Sequence, residues 1–204
     1  MNTVITIGRE FGSGGRELGT RLANELGFAY YDKEIVAEIA QRTELSEQYI
    51  KNIMEHRPII DYPLHFGVTI NGFNSPQIQI NNSVYTEQHK IIKEYAKKSD
   101  CVIVGRCADY ILRELNPVRI FVYCDMKSKI QRCRARGDDS SDKTDKQMKK
   151  YIDDINKGRR LYYEYYTDLR WGDKINYDLC INTTGLSIKD IVPGLAEIVK
   201  SISE

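Results

Sequence analysis

Apolar residues along the chain follow two alternating patterns. Short runs of apolar and β-branched residues are typical of buried strands, and the longer segments between them repeat apolar residues at helical spacing. The predicted strands are TVITIG (3–8), FAYYD (28–32), CVIVG (101–105), VRIFVYC (118–124) and YDLCINTT (177–184). The predicted helices cover 15–26, 34–42, 45–55, 84–98, 107–115, 126–136, 145–168 and 187–203. Strands that alternate with helices favour an α/β fold with a parallel sheet and right-handed crossovers.

Two segments interrupt this alternation. Residues 57–83 carry three prolines, two glycines and four asparagines, which predicts an insert on the core with a short hairpin at Asn71-Gly72. Residues 137–146 are polar throughout, which predicts a mobile loop. A chain of 204 residues has room for one α/β domain, or for a core with a small insert.

Composition and charge mainly exclude classes of partner and of site. The 30 basic and 29 acidic residues leave a net charge of +1, so no global field attracts nucleic acid or a membrane, and any anion site must be local. No apolar run is long enough to predict a membrane-spanning helix, and the N-terminus is typical of a strand rather than a signal segment. The five cysteines form no Cys-x-x-Cys pair and the three histidines lack metal spacing, which predicts buried thiols in a reducing cytoplasm.

The junction of the first strand and the first helix carries the most specific signal. The segment FGSGGREL places Gly12, Gly14 and Gly15 around Ser13 at the head of a helix, where backbone amides lack partners. Glycines let the backbone wrap these amides around a phosphate, so a phosphate-binding loop over 12–16 is predicted. A tight turn without a ligand is the alternative.

The loop departs from both common glycine-rich patterns. Glu17 stands where G-x-G-x-x-G needs its third glycine. In G-x-x-x-x-G-K-[ST], Gly15 takes the lysine position if Gly14 is the preceding glycine, and Glu10 takes the first glycine position if Gly15-Arg16 stands for Gly-Lys. Arg16 is the candidate for the missing positive charge, although a guanidinium differs in shape from an ammonium. Glu17 is a weak candidate to hold Mg²⁺ through water.

Arginines further along the chain are candidates to complete a phosphate site. Arg132 and Arg136 share a helical face with Lys129, and a polar loop follows that helix directly. Such an arrangement favours a lid that closes on phosphates. Arg159 and Arg160 stand at the start of a tyrosine-rich run and are candidates for the same clamp. For all of these side chains the alternative is an ordinary solvated charge.

Charged residues also follow two strands at their carboxyl ends, the edge at which open α/β sheets bind ligands. Arg106 is a candidate to grip an acceptor phosphate with both arms of its guanidinium, or to form a structural ion pair with Asp32 or Asp109. Asp32 is a candidate either to orient the acceptor or a magnesium-bound water, or to cap the following helix. Asp109 is a weaker acceptor-site candidate.

A face of three tyrosines, Tyr162, Tyr165 and Tyr166, follows these arginines. We expect these rings to pack in the core or in a homodimer interface, with stacking on a base as the alternative.

Taken together, these motifs resemble the cytidylate kinase-like branch of the P-loop nucleoside monophosphate kinases. ITIGREFGSGGRELG (5–19) is similar to the opening of that branch, and LCINTTGLSIKDIV (179–192) is similar to its last strand and helix. Between them, YYDKEIV (30–36), VIVGRCADYIL (102–112) and RIFVYCDMKSKIQRCRARG (119–137) resemble its intervening motifs. The resemblance covers nearly the whole chain except 57–83.

The resemblance implies a P-loop NTPase fold in three layers, with a central parallel five-strand sheet, a helical insert and a lid. It implies one domain over 1–204, an acceptor-side, monophosphate-binding insert over 33–98 and a lid over 132–160. It also implies a cytoplasmic kinase that uses ATP and Mg²⁺ to phosphorylate a nucleoside monophosphate such as CMP, or a similar small acceptor. Tyrosines occupy places in 157–171 where that family carries more arginines, so the acceptor stays open. The missing loop lysine keeps a non-catalytic, regulatory nucleotide- or anion-binding module as the alternative.

Overall fold

The predicted strands form one parallel sheet in the computed structural model, which describes residues 2–55, 76–137 and 143–203. The strands are Val4–Arg9 (β1), Ala29–Tyr31 (β2), Cys101–Val104 (β3), Val118–Tyr123 (β4) and Leu179–Asn182 (β5). Their order in the sheet is β2-β3-β1-β4-β5, with β1 paired to β3 on one side and to β4 on the other. Because the strands are parallel, their carboxyl ends meet at one edge of the sheet.

Helices cover both faces of this sheet. They are Gly15–Leu26 (α1), Lys33–Thr43 (α2), Glu47–Glu55 (α3), Pro76–Lys98 (α4), Ala108–Ile111 (α5), Met126–Ala135 (α6), Asp145–Thr167 (α7) and Ile188–Ser203 (α8). Short 3₁₀ turns cover Arg113–Leu115 and Lys174–Asn176. The predicted three-layer α/β architecture with a central five-strand parallel sheet is therefore confirmed.

Two core clusters of the described residues cover the two faces of the sheet, and a smaller third cluster lies between α6 and α7. In β3, Cys101 and Ile103 contribute to the cluster beneath α2, α3, α4 and α7, whereas Val102 and Val104 pack with α1 and α8. This alternation is the two-residue period of a strand, and burial on both faces explains why the strand is apolar throughout. The face under α1 and α8 stays closely packed because α1 presents Gly19, where an added Cβ would lie 2.8 Å from Val104 Cγ2.

The segment before β3 differs most from the prediction. Helix α4 begins at Pro76 rather than at residue 84, so the predicted insert over 57–83 is helical in its last part. Proline suits the first position of a helix, and the polar residues that follow find tertiary partners. Gln77 Nε2 donates to Tyr49 Oη at 2.8 Å, and Tyr166 Oη donates to the Asn81 carbonyl at 3.3 Å. The predicted Asn71-Gly72 hairpin lies outside the described residues, as do residues 138–142 of the predicted polar loop.

The remaining boundaries agree closely with the prediction, except that the predicted helix over 107–115 is divided into α5 and a 3₁₀ turn. Cys180 on β5 is exposed, whereas Cys101, Cys107, Cys124 and Cys133 are buried, and all five thiols are free. Among the described residues, no helix combines the length and the apolar character needed to cross a membrane.

Candidate functional site

The loop between β1 and α1 presents backbone amides at the carboxyl edge of the sheet. Gly12 and Gly14 have φ angles of 77° and 85°, in the left-handed region that favours glycine. Gly14 is the N-cap of α1 and, as a glycine, has no side chain that could hydrogen-bond to the amides of the first turn. Ser13 is buried and fixes the loop, because its hydroxyl donates to the Glu10 carbonyl at 2.9 Å while its own carbonyl accepts from Thr183 Oγ1 at 2.7 Å.

Guanidinium groups gather around one buried carboxylate beside this loop. The Asp32 side chain is 1% exposed, and its Oδ2 accepts a hydrogen bond from Arg16 Nε at 2.5 Å. Its Oδ1 lies 4.0 Å from Arg9 Nη2 and has no hydrogen-bond partner among the described residues. Burial alone would raise the pKa of Asp32, but the charges of Arg9, Arg16 and Arg106 outweigh that effect and hold the pKa below its ordinary value.

The Asp32 side chain therefore pairs with arginines and does not cap the helix that follows it. Its backbone stands at the N-cap position of α2, yet its side chain makes no capping hydrogen bond. Its backbone N–H donates instead to the Glu34 carboxylate at 3.1 Å. The capping alternative raised by the sequence is not the arrangement found.

Arg159 of α7 adds a further cation to the same cluster. It donates to the Arg9 carbonyl and to Glu55 Oε1, both at 3.4 Å. Burial lowers the pKa of Arg159, and the nearby charges of Arg106 and Arg16 act in the same direction, while Glu55 opposes them. Burial, together with the charge of Arg159, lowers the pKa of Arg9 to about 9. The guanidinium groups outnumber the two carboxylates around them, so the cluster has an excess of positive charge that suits an anion.

Two cavities meet at this cluster. The first, which we call the loop cavity, is lined by the glycine loop, by Arg16 and Glu17, and by Arg132 and Arg136 of α6. The second, the aromatic cavity, is lined by Gly105, Arg106, Asp109, Tyr162, Tyr163, Trp171 and Tyr177. Arg9, Glu55 and Arg159 line both cavities. An anion in either cavity would therefore approach the same two guanidinium groups.

The cations predicted on α6 are placed differently from one another. Arg132 and Arg136 line the loop cavity, and Arg132 also donates to the Thr183 and Leu186 carbonyls at 2.6 and 3.1 Å. Lys129 does not join them, because its buried Nζ lies 2.8 Å from Glu10 Oε2. The predicted stripe of three cations is therefore reduced to two arginines at the cavity.

Arg160 and Asp109 are also placed differently from the sequence-based expectation. Neighbouring residues on a helix point about 100° apart, and Arg160 lines neither of the two cavities. It lines a third hollow, which shares Glu10 with the loop cavity and Trp171 with the aromatic cavity. Asp109 lines the aromatic cavity, but its Oδ2 accepts from Tyr163 Oη at 2.7 Å rather than pairing with Arg106. Burial raises the pKa of Asp109.

Arg106 occupies a strained turn at the end of β3. Its φ angle is 61°, a conformation that residues other than glycine rarely adopt. The buried Gln88 holds this turn, since its Nε2 donates to the Arg106 carbonyl at 2.8 Å while its Oε1 accepts from Tyr162 Oη at 3.2 Å. Arg106 makes no close ion pair with Asp32 or Asp109, and its buried Nε has no partner in the described part of the chain. It therefore retains capacity to bind an anion.

Glu17 is the one predicted metal contact, and it lies at the rim of the loop cavity. Its exposed carboxylate pairs with Arg21 at 2.8 Å, one helical turn further on. Within residues 2–55, 76–137 and 143–203, no group of three or more His, Cys, Asp or Glu side chains could hold a metal ion. A metal at this site would thus depend on oxygens from a ligand and from water.

Three residues of the site were not predicted from the sequence. Glu55 and Gln88 lie in segments whose patterns indicate only helices. Arg9 could have been found, because it stands at the first glycine position of G-x-x-x-x-G-K when Gly14 is taken as the second glycine.

A parallel five-strand sheet with a glycine loop at the head of α1 and arginines at the carboxyl edge defines a fold of the P-loop type. The model of the cytidylate kinase-like family matches residues 4–185, and the chain belongs to that family. It is similar to a cytidylate kinase from Saccharolobus islandicus (strain L.S.2.15 / Lassen #1), with 22% identity over 98% of this chain and 93% of the relative.

Solved structures support the same fold. The chain resembles the crystal structure of an uncharacterized protein from Eubacterium ventriosum ATCC 27560, with a TM-score of 0.70, 25% identity and coverage of 98% of this chain and 99% of that one. It also resembles a shikimate kinase from Acinetobacter baumannii in complex with shikimate, with a TM-score of 0.56, 14% identity and coverage of 99% and 95%. At this identity the second likeness concerns the fold alone. Family and fold together support phosphoryl transfer of the nucleotide-kinase type.

Proposed function

We propose that the protein transfers the γ-phosphoryl group of ATP to a small acceptor that itself carries a phosphate, either a nucleoside monophosphate or a similar compound. The observation that carries this proposal is the shared wall of the two cavities. Arg9 and Arg159 line both, so a donor phosphate in one cavity and an acceptor phosphate in the other would meet between these guanidinium groups. Phosphoryl transfer requires mainly this positioning and positive charge around the equatorial oxygens.

The donor would bind in the loop cavity. Amides of the loop over 12–16 would surround its phosphates, because the left-handed glycines turn the backbone toward the cavity. Arg132 and Arg136 would offset phosphate charge from the side of α6, within the proposed lid region over 132–160. Arg16 lies at the same cavity while its Nε is held by Asp32, which leaves the rest of its half-exposed side chain available.

The acceptor would bind in the aromatic cavity, beside the proposed acceptor-side region over 33–98. Arg106 offers a partly unpartnered guanidinium there. Asp32 would orient the arginines, and Asp109 would contribute a polar wall with Tyr163. The remaining lining is largely aromatic, which suits a flat apolar group, but the cavity volume is only about 40 Å³, so the cavity would have to widen to admit such a group.

Magnesium fits this site as a partner of the nucleotide rather than of a protein cage. Mg²⁺ usually keeps several waters and binds through one or two carboxylates together with substrate phosphates. Glu17 at the rim of the loop cavity is positioned to hold such a water, whereas Asp32 is engaged by guanidinium groups. The ion would supply further positive charge to the donor phosphates.

The proposed step exchanges one phosphorus–oxygen bond for another. The bond between the γ-phosphorus and the bridging oxygen of ATP breaks, ADP leaves, and an oxygen of the acceptor phosphate bonds to the γ-phosphorus. An acceptor phosphate oxygen is already anionic, so no proton has to be removed from it. This agrees with a site in which cations are abundant and no side chain is assigned as a catalytic base.

A second candidate function is a regulatory module that binds a nucleotide or anion without turnover. It is favoured by Gly15 at the lysine position and by the engagement of Arg16 with Asp32, which together leave the loop without an ordinary P-loop cation.

A panel assay separates these functions. The protein is incubated with ATP, Mg²⁺ and each of several phosphate-bearing acceptors, and ADP release and thermal unfolding are followed. Turnover with one acceptor class supports the kinase, whereas stabilisation by ATP without any turnover supports the binding module. Arg16→Ala should lower turnover roughly 100-fold. Lys200→Ala, which removes an exposed cation that pairs with Glu197 on α8 and lines neither cavity, is the control and should not. Absence of both turnover and stabilisation in the wild type would refute both functions.

A further inference from the structure

We infer that Arg9, at the end of β1, replaces the loop lysine of a P-loop and contacts the phosphoryl group that is transferred. This inference rests on the proposed function, which it deepens by naming the cation of the loop. In an ordinary P-loop, the lysine at the end of the loop supplies the cation that contacts this group. Here we assign that role to a residue of the strand that precedes the loop.

The sequence shows an exchange of two positions. When Gly14 is the second glycine of G-x-x-x-x-G-K, Arg9 stands at the first glycine and Gly15 stands at the lysine. Compared with that pattern, the chain has an additional cation at the start of the loop and lacks the cation at the end of the loop.

Packing shows that the two changes depend on each other. An added Cβ at Gly15 would lie 2.5 Å from Arg9 Cβ and 3.0 Å from its Cγ, so the stem of Arg9 fills the space that a side chain at position 15 needs. An added Cβ at Gly105 would lie 1.7 Å from Arg9 Nη1, and Gly105 has a φ angle of 71°. Two glycines far apart in sequence therefore make room for the stem and for the head of one arginine.

The charge of Arg9 is poorly compensated where it lies. Its side chain is 12% exposed, and its ion pair in the described structure is the 4.0 Å contact to Asp32, whose other oxygen is held by Arg16. Arg159, Arg106 and Arg16 all act to lower its pKa. A buried guanidinium with this environment gains from a bound anion, because the anion supplies both the opposite charge and hydrogen-bond acceptors.

Lys129 also contacts the loop, but it cannot take this part. It packs against Gly12, but its ammonium is committed to Glu10. Arg9, in contrast, lines both the loop cavity and the aromatic cavity, which is where a transferred group must pass. Arg159 also lines both cavities, but it belongs to α7, whereas Arg9 belongs to the β1–loop–α1 segment that would hold the donor phosphates.

The exchange can be tested by reversing it. The variants Arg9→Gly, Gly15→Lys and the double variant are compared with the wild type, since the double variant restores G-x-x-x-x-G-K in the loop. Binding of inorganic tripolyphosphate is measured by calorimetry, ATP turnover by ADP release, and folding by circular dichroism. We expect Arg9→Gly to lose about 100-fold in tripolyphosphate affinity and in turnover. Gly15→Lys alone should unfold at a lower temperature because of the clash with Arg9. The double variant should fold better than Gly15→Lys and bind at least about tenfold more tightly than Arg9→Gly.

A second substitution keeps the test independent of folding. Arg9→Met retains an apolar stem without the charge, and it should fold while binding tripolyphosphate as weakly as Arg9→Gly. Arg119→Met is the matched control, because Arg119 lies near the amino end of β4 and lines neither cavity, so binding should be unchanged.

The outcomes separate the inference from the proposed function. Wild-type turnover that persists in Arg9→Met overturns the inference and leaves the proposed function standing. Tripolyphosphate binding that depends on Arg9, without turnover of any acceptor, supports the phosphate contact and rejects the kinase. A wild type that does not bind tripolyphosphate overturns the inference. A folded double variant that binds tripolyphosphate no better than Arg9→Gly would reject the claim that Arg9 replaces the loop lysine.

Discussion

Arg16 Nε donates to Asp32 Oδ2 at 2.5 Å, so the first turn of α1 is tied to the end of β2 directly beside the glycine loop. The Asp32 carboxylate is buried and also faces Arg9, which means that one negative charge restrains two of the site's cations. Removing a partner from such a buried pair leaves uncompensated charge, which usually costs more than the pair itself contributes.

Asp32→Asn should therefore lower the free energy of unfolding by about 3 kcal/mol, measured by urea denaturation. Because the variant leaves more positive charge at the site, added inorganic phosphate should stabilise it more than it stabilises the wild type. Asp178→Asn is the control, since Asp178 pairs with Arg119 at 2.7 Å in a partly exposed position away from the loop. It should cost less than about 1 kcal/mol and show no added response to phosphate. Equal stability of Asp32→Asn and the wild type would contradict this account.

Gln88→Leu should destabilise the protein by about 2 kcal/mol, because it leaves the Arg106 carbonyl and the Tyr162 hydroxyl without their buried partner. The turn that carries Arg106 would also lose its support, so an active enzyme should show a raised KM for the acceptor with a smaller change for ATP. Chemical denaturation and steady-state kinetics measure the two effects. Gln48→Leu on α3, where the side chain is exposed, should change stability by less than about 0.5 kcal/mol. An unchanged acceptor KM would show that Gln88 does not support the site.

Gly19→Ala and Gly194→Ala form a matched pair within two helices that pack together. A Cβ at Gly19 would lie 2.8 Å from Val104 Cγ2 and 3.2 Å from Ile7 Cδ1, so overpacking should destabilise the protein by about 1–3 kcal/mol. A Cβ at Gly194 meets no described atom within 4 Å, so alanine there should stabilise α8 by about 0.5–1 kcal/mol. Thermal unfolding of both variants checks the opposite signs. A neutral Gly19→Ala would mean that α1 can move away from the sheet at little cost.

The parts of the fold that depend on local pattern were predictable from the sequence. The central strands β1, β3 and β4 are mostly apolar because both of their faces are covered. Helix α1 is bounded by Gly14 and Gly27, both in left-handed conformations. The start of α4 was not predictable in this way. Its first turns are rich in polar residues, and contacts with other helices stabilise them. Gln77 Nε2 donates to Tyr49 Oη of α3, and the Asn81 backbone carbonyl accepts from Tyr166 Oη of α7. The local sequence pattern does not show such contacts with distant residues.

The candidate site shows the same limit more strongly. The glycine loop could be located from its spacing, and Arg106 from its place after a strand. The surroundings of Arg9 could not, because they depend on Gly105, which is distant in sequence and reaches Arg9 only through the pairing of β1 with β3. The sequence does not show which of the adjacent residues Arg159 and Arg160 faces the loop. The helical geometry of α7 places them in different cavities.

Asp109 provides a prediction with a defined pH dependence. Its carboxyl is 8% exposed, burial raises its pKa, and the hydrogen bond from Tyr163 opposes that rise only in part. An unfolded chain releases this proton near the ordinary value of about 3.9, before the folded protein does. The stability contribution of the protonated group is therefore complete below that value and is lost as the pH rises through the raised folded pKa.

Asp109→Asn cannot ionise and keeps an oxygen that accepts from Tyr163. The stability of Asp109→Asn relative to the wild type should therefore increase as the pH rises from 4 toward 7, measured by denaturation at each pH over the range in which both stay folded. Asp178→Asn should be nearly flat over this range, and its stability relative to the wild type should rise only as the pH falls below about 4. Burial alone would raise the pKa of Asp178, but the hydrogen bonds from Arg119 outweigh it and lower the pKa, so its contribution is present above the ordinary value and lost in acid. Parallel profiles for the two variants would show that Asp109 is not held in its protonated form by burial.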